Sequence, residues 1–349
     1  MLPQTTMPPE EGGNLPCIDI REDSLRDISE EVLNTLLRDH TTGRNIFWAT
    51  HDYEELGPEY SYHSPILPAL ITGERGMVIR PRVLKSKEEQ TDRAKGMAEV
   101  FTPSWVCNAQ NNLVDEAWFG RKDVFNTADE SAHTWQPNVE RITFPEGKTW
   151  RDYVRSTRME ITCGEAPYLA SRYDTTTGEP IPLERRIGLL DRKLRVVSEN
   201  AEQSGEWLEW AQVAYKNTYG YEWQGDNLLL AREALLWSFI EYYQARFGKR
   251  PLVKSINYIA YIISWNLWQM DGLKGVVPDS CHDVVSKNEV VQQLDMFSTD
   301  LPKAAAPTVT PCAGCQHDDI YRHNGTYCLL RDWGTKNNRK IRFVDLIKI

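Results

Sequence analysis

The sequence predicts an α/β protein built on a doubly wound, Rossmann-like sheet, and three observations predict it. Strand-like and helix-like stretches alternate after residue 101, the pattern of parallel strands joined by helical crossovers. Two of the strand-like stretches end in a carboxylate, at Glu160 and Glu222. The chain has 349 residues, 41% of them hydrophobic and 10% aromatic, enough for a large core.

Taken in order, residues 1–20 are rich in Pro, Gly and Glu and read as a flexible tail. Residues 21–95 read as an N-terminal appendage with its own small core. Ile28, Val32, Leu33, Leu36 and Leu37 have helical spacing behind a cap at Asp23 or Ser24. The charged stretch KSKEEQTDRAKGMA, from Lys85 to Ala98, predicts a solvated helix face without chemistry. Residues 96–275 carry the α/β core. A strand is expected over Arg158–Cys163 and a new element from Leu169. Further on, a helix is expected over Trp207–Lys216, a strand over Thr218–Trp223 and a helix over Asn227–Phe247. Residues 276–335 form a Cys/His-rich insertion, and residues 336–349, with KIRFVDLI, predict a C-terminal strand.

The formal net charge of −10 argues against coating nucleic acid by counterion release alone. DNA contact would need a local basic patch or a partner. The best local candidate is Glu184, Arg185 and Arg186 with Asp191, Arg192, Lys193 and Arg195; a charged helix face is the plainer reading. The sequence has no long uncharged apolar run and no secretory signal at its start, so no membrane is expected and a cytoplasmic location is.

Three segments carry candidate chemistry. In Glu160–Leu169, EITCGEAPYL, an acid closes a strand and a turn of small residues follows, where a doubly wound sheet receives a nucleotide-like ligand. With one glycine the motif is weak, and a plain tight turn competes. In YGYEW, Glu222 ends a second strand, and its two oxygens suit a ribose diol. In IAYIISWNLWQMDGL, Asp271 lies in an Asp-Gly turn. After a third strand it would accept from an exocyclic amine; otherwise the run is a buried helix with a cap.

The order Phe101-Thr102-Pro103-Ser104-Trp105-Val106, EITCGEAPYL, YGYEWQGDNLLLAREALL and NLWQMDGL resembles the cofactor half of the adenine-specific DNA methyltransferase (M) subunits of restriction-modification systems. The resemblance covers about half the chain. It implies a Rossmann-like methyltransferase sheet and S-adenosylmethionine as cofactor, bound by Phe101, Thr102, Pro103, Glu160, Cys163, Gly164, Glu165, Glu222 and Asp271. The chain departs from the family in three ways, the first being Ile161 where the family has Pro after the first acid. The second glycine of the turn is replaced by Ala166, which would be strained at positive φ. No Asn-Pro-Pro-Tyr loop follows residue 100, and that loop is where the family holds the flipped adenine. IRFVDLIKI stands where the preceding fourth strand is due. No catalytic residue is therefore assigned. The resemblance implies an enzyme split over two polypeptides, with a second chain carrying the base-binding loop and target recognition. The alternative is a non-catalytic DNA-binding or assembly subunit on a degenerate scaffold.

Seven cysteines, four of them late in the chain, suggest a metal knuckle in a reducing compartment. Cys312 and Cys315 form C-x-x-C. Cys281 or His282 upstream and His317, His323 or Cys328 downstream would complete the set, and Cys281, Cys312, Cys315 and Cys328 are the expected ligands of a structural zinc. The alternative is two unrelated thiol pairs in a loop.

Overall fold

The computed structural model describes residues 22–97, 102–129, 131–286, 308–335 and 339–347. Helices α1 (Glu22–Ile28) and α2 (Glu30–Leu37) are separated at Ser29, whose Oγ accepts the N–H of Glu31 and caps the second. Short 3₁₀ turns then lead to α3 (Lys87–Met97) and α4 (Ser104–Phe119), a hairpin of β1 (Asn126–Asp129) and β2 (Thr134–Pro137), and α5 (Trp150–Arg155). A capping box between Thr149 and Asp152 starts α5.

The centre of the fold runs β3 (Arg158–Glu160), α6 (Leu189–Asn200), α7 (Ser204–Lys216), β4 (Thr218–Glu222), α8 (Gly225–Phe247), α9 (Val253–Asn266) and β5 (Leu267–Gln269). The three strands are parallel in the order β3-β4-β5, with Glu160 opposite Gly220 and Glu222 opposite Gln269. The chain is thus mixed α/β around a small parallel sheet with helical crossovers. The strands expected at Arg158 and Thr218 and the helices expected at Trp207 and Asn227 are present. The stretch from Leu169 is irregular until α6 begins at Leu189.

Period-two alternation sorts the sheet into two faces. Glu160, Gly220, Glu222, Leu267 and Gln269 share one, and Leu267 joins the main core with α6 to α9. Tyr221, Trp268 and Met270 share the other and form a second core with Cys328, Leu330 and Phe343. The latter residues belong to or flank an antiparallel hairpin of β8 (Leu329–Arg331) and β9 (Lys340–Arg342), which follows the β6 (Val284–Ser286) and β7 (Thr308–Thr310) pair and the short α10 (Ala313–His317).

Two expectations are corrected. The C-terminal segment does not extend the parallel sheet: β9 pairs with β8, and Phe343–Leu346 turns as a 3₁₀ helix. The N-terminal appendage has no core of its own. Leu25, Val32, Leu33, Leu36 and Leu37 belong to the main core, with α2 lying against α9. Arg232 of α8 ties this contact. Its buried guanidinium donates to the carbonyls of Leu36 and Arg38 at the end of α2 and of Ser264 and Leu267 at the end of α9. These are groups a helix end leaves without partners. Among the described residues no helix is long and apolar enough to cross a membrane.

Candidate functional site

The carboxyl ends of β3, β4 and β5 bring the predicted residues together. After Glu160 the chain turns through Thr162 (φ +46°), Gly164 (φ +53°) and Ala166 (φ +59°). Ala166 is therefore in the left-handed region, where a methyl costs about 1–2 kcal/mol. The N–H of Cys163 donates to the Tyr221 carbonyl at 2.8 Å, which carries the sheet pairing one step beyond β3 and fixes where the turn begins.

Glu222 closes the other side. Its Oε2 accepts the Gly164 N–H at 2.8 Å and its Oε1 accepts the Gln224 N–H at 3.2 Å. The turn after β3 and the acid after β4 thus form one wall. Glu160 lies inside it, with Oε1 accepting the Tyr168 N–H at 3.4 Å, the Leu169 N–H adding a further interaction with the carboxyl, and Oε2 buried without a hydrogen-bond partner among the described residues. Burial raises the pKa of both carboxyls. The rise is large for Glu160, where the Glu222 charge adds to it. Burial also pushes up the Cys163 thiol, with Glu160 and Glu222 adding. This is an acid pair short of positive charge.

The other predicted residues are placed as follows. Thr102 accepts through its carbonyl from Thr175 Oγ1 at 3.2 Å and bonds through its side chain to the Tyr168 hydroxyl; Pro103 is the N-cap residue of α4. Phe101 lies outside the described residues. Glu165 is held by the Arg82 N–H at 2.6 Å and the Tyr173 hydroxyl at 2.5 Å, so it anchors the turn. Asp271 follows a third strand, and its Oδ1 accepts the Leu273 and Lys274 N–H groups in its own turn while Lys274 Nζ lies 3.1 Å from Oδ2.

Sequence reasoning missed the segment behind this wall. Lys85 and Arg93, read as part of a solvated face, are buried against Asp226 in the first turn of α8, at 3.3 and 2.9 Å, and the Tyr53 hydroxyl donates to the same carboxylate at 2.7 Å. Burial alone would raise the Asp226 carboxyl, but Arg93 and then Lys85 outweigh it and hold it well below the usual carboxylate range. Charge composition carries no sign of this pairing.

The basic stretch proposed for DNA is also committed elsewhere. Arg192 pairs with Asp115 at 2.6 Å in the interior, and Lys193 donates to the Ser156 and Asn217 carbonyls. Arg186 pairs with Glu241, Arg195 with Glu199, Arg185 donates to the Trp135 carbonyl, and Asp191 accepts from Ser171. Arg192 and Lys193 are thus committed to the interior, while Arg186 and Arg195, paired with Glu241 and Glu199, also line a cleft with Arg246.

A second constellation lies beyond Asp271. Cys281, Cys312, Cys315 and His323 converge, with their ligand atoms all within 4.8 Å of one another, and this group could hold a metal ion. The three thiol sulfurs lie 3.5, 3.7 and 3.6 Å from His323 Nδ1. Tetrahedral zinc with Zn–S near 2.3 Å and Zn–N near 2.0–2.1 Å separates sulfur from nitrogen by about 3.6 Å. The Asn324 N–H points at Cys312 Sγ at 3.3 Å. Although burial opposes it, this amide and those of Cys315 and Gly314, together with His323, bring the Cys312 thiol down to about 6.

Cys328 is the correction. It sits beside β8 in the second core, its thiol buried and donating to the Gln269 carbonyl at 3.4 Å, and His323 takes the fourth position instead. Gly314 explains the close approach: a Cβ there would lie 2.6 Å from His323 Nδ1.

No protein-family model, no curated protein and no solved structure matches this chain.

Proposed function

We propose that the chain binds S-adenosylmethionine and serves as the cofactor-binding subunit of an adenine-specific DNA methyltransferase. A second polypeptide would supply the Asn-Pro-Pro-Tyr loop and target recognition. The observation that carries this reading is the hydrogen bond from the Gly164 N–H to Glu222, which joins the glycine turn and the second-strand acid into one wall at the carboxyl end of a parallel sheet.

The fit to the cofactor is chemical. Its methionine end is cationic and its ribose offers two hydroxyls. Glu160 Oε2, without a hydrogen-bond partner among the described residues, answers the first, and the Glu222 carboxylate, held by the Gly164 and Gln224 N–H groups, answers the second with its remaining acceptor capacity. The bound cofactor supplies the methyl group. The chain's part is to orient it and exclude water, because transfer between fixed partners depends mainly on proximity. In this reading Asp271, two residues beyond β5, would meet the adenine of such a ligand.

A partner is supported by the sheet itself. Among the described residues β3 pairs only with β4, and Met159 and Ile161 are exposed on the open face. They line a groove of about 1040 Å³ with Tyr219, Trp268 and Trp333. In the same reading, Cys281, Cys312, Cys315 and His323 hold a structural zinc with all four positions filled by protein.

The test is calorimetric titration of S-adenosylmethionine into the zinc-loaded chain. Saturable one-to-one binding that is lost in Glu222→Ala is expected. Absence of binding up to millimolar cofactor, with the chain folded, would overturn the reading.

A further inference from the structure

A third cluster lies at the same end of the sheet, and neither the cofactor wall nor the metal group uses it. His51, Glu54, Ser61, Tyr62, His63 and Asp279 line a cleft of about 530 Å³. It is fixed to the sheet at two points. The Phe47 N–H and carbonyl bond to the side chain of Gln269, the last residue of β5, at 3.0 and 2.8 Å. The Tyr62 hydroxyl accepts from Nε1 of Trp223, the residue after Glu222, at 3.0 Å.

The lining is aromatic and acidic. The Tyr62 ring lies 4.9 Å from His51 and 4.8 Å from His63, with Phe47 at 6.4 Å. Tyr62 donates its hydroxyl to Asp279 Oδ2 at 2.7 Å, and Asp279 sits at φ +53° on the loop that leads to Cys281. Glu54 Oε1 takes His51 Nδ1 at 2.8 Å and the Tyr62 N–H at 3.2 Å. Among the described residues, Asp279 Oδ1, Glu54 Oε2 and the exposed His63 imidazole make no hydrogen bond. The cleft therefore offers ring faces, open carboxylate acceptors and a ring nitrogen, and neither Lys nor Arg lines it. An anion has no counter-charge there. A purine base satisfies the whole set: its face stacks on the rings, its exocyclic amine donates to a carboxylate, and its ring nitrogens meet the imidazole.

We propose that this cleft receives an unstacked adenine base, with the Tyr62 ring as the stacking surface, the His63 imidazole, set at 73° to that ring, at the base's edge, and the Asp279 carboxylate as acceptor of the exocyclic amine. The choice of adenine rests on the function proposed above; the existence of a base site does not. The proposal moves part of base holding from the partner chain to this one.

The experiment is saturation-transfer NMR on the full, zinc-loaded chain with adenosine, thymidine or tetramethylammonium as probe. Saturating S-adenosylhomocysteine is present to fill the cofactor wall. Adenosine is expected to bind and thymidine to bind about ten-fold more weakly. Asp279→Gly, which suits the positive φ, and His63→Ala, on an exposed ring, should each weaken adenosine about ten-fold. Both variants should leave S-adenosylhomocysteine affinity unchanged. No transfer to adenosine, equal binding in both variants, or displacement of adenosine by tetramethylammonium would overturn the proposal. If S-adenosylhomocysteine fails to bind while adenosine responds to both variants, the base site stands and the cofactor reading falls.

Discussion

Replacing Glu160 by Gln tests the electrostatics of the acid wall at the carboxyl end of the sheet without a ligand. The Glu160 carboxyl is buried, with one oxygen unpartnered among the described residues, and is raised well above its ordinary 4.5 by burial first and the Glu222 charge last, against the lowering by the Tyr168 and Leu169 N–H groups. A native state that holds this proton more tightly than the unfolded chain loses stability as pH rises. The loss begins near the unfolded value of 4.5 and ends above the raised native one. Within that window the slope approaches about 1.4 kcal/mol per pH unit for one proton. Gln keeps the shape and removes the titration. Urea unfolding followed by far-ultraviolet circular dichroism, on both proteins at pH 5, 6 and 7, gives the slope of each. Asp191, also raised by burial, titrates in both chains and cancels in the difference, whereas Glu222, coupled to Glu160, contributes to the difference with the same sign. The wild type should lose stability toward pH 7 more steeply than the variant. Slopes equal within about 0.3 kcal/mol per unit would mean that the carboxylate is solvated or paired, and the argument for a cation-seeking wall would fail.

Other consequences are as direct. Metal analysis of the purified chain should find one equivalent of zinc, lost on Cys315→Ser or His323→Ala and retained on Cys328→Ser, whose thiol belongs to the second core. Asp226→Asn leaves Lys85 and Arg93 buried without a counter-charge and should cost about 3–5 kcal/mol in urea unfolding at neutral pH. Because the Asp226 carboxyl is depressed, that loss should shrink as the wild type is acidified through its native value. Arg232→Leu strips donors from four carbonyls at two helix ends and should destabilise the chain by about 3 kcal/mol or more.

What could be read in advance follows a physical line. The helix at Ser204 is legible because its apolar residues repeat at a helical period, and the strand at Thr218 and the helix at Gly225 because an aromatic strand-forming stretch ends in an acid and gives way at once to a long run of helix formers, buried nearly all round. The third strand was hidden inside one apolar run. Helix α9 passes into β5 at Asn266, whose amide donates to the Tyr215 and Thr218 carbonyls and accepts from Trp333 Nε1, contacts that only the folded chain creates. The buried charges misled for a related reason. Arg192, Lys193, Lys85 and Arg93 look like surface residues until their partners, far away in sequence, are known. Spacing alone put Cys328 in the metal group. Three sulfurs were right, and the fourth ligand depended on which way the chain turned before β8.

The guanidinium of Arg232 also sets a timetable. It bonds to Leu36 across 196 residues, and α2 rests on α9, farther still along the chain. At roughly 5–20 residues per second, translation takes on the order of 10–40 s to reach Arg232 after α2 is made. Through that interval Leu33, Leu36 and Leu37 have neither their helix partner nor their carbonyl tie. A helix made early, α2, is among the last to dock, so folding waits on a long loop closing. For this chain, pausing or truncation late in synthesis would strand α2 as surely as a mutation within it.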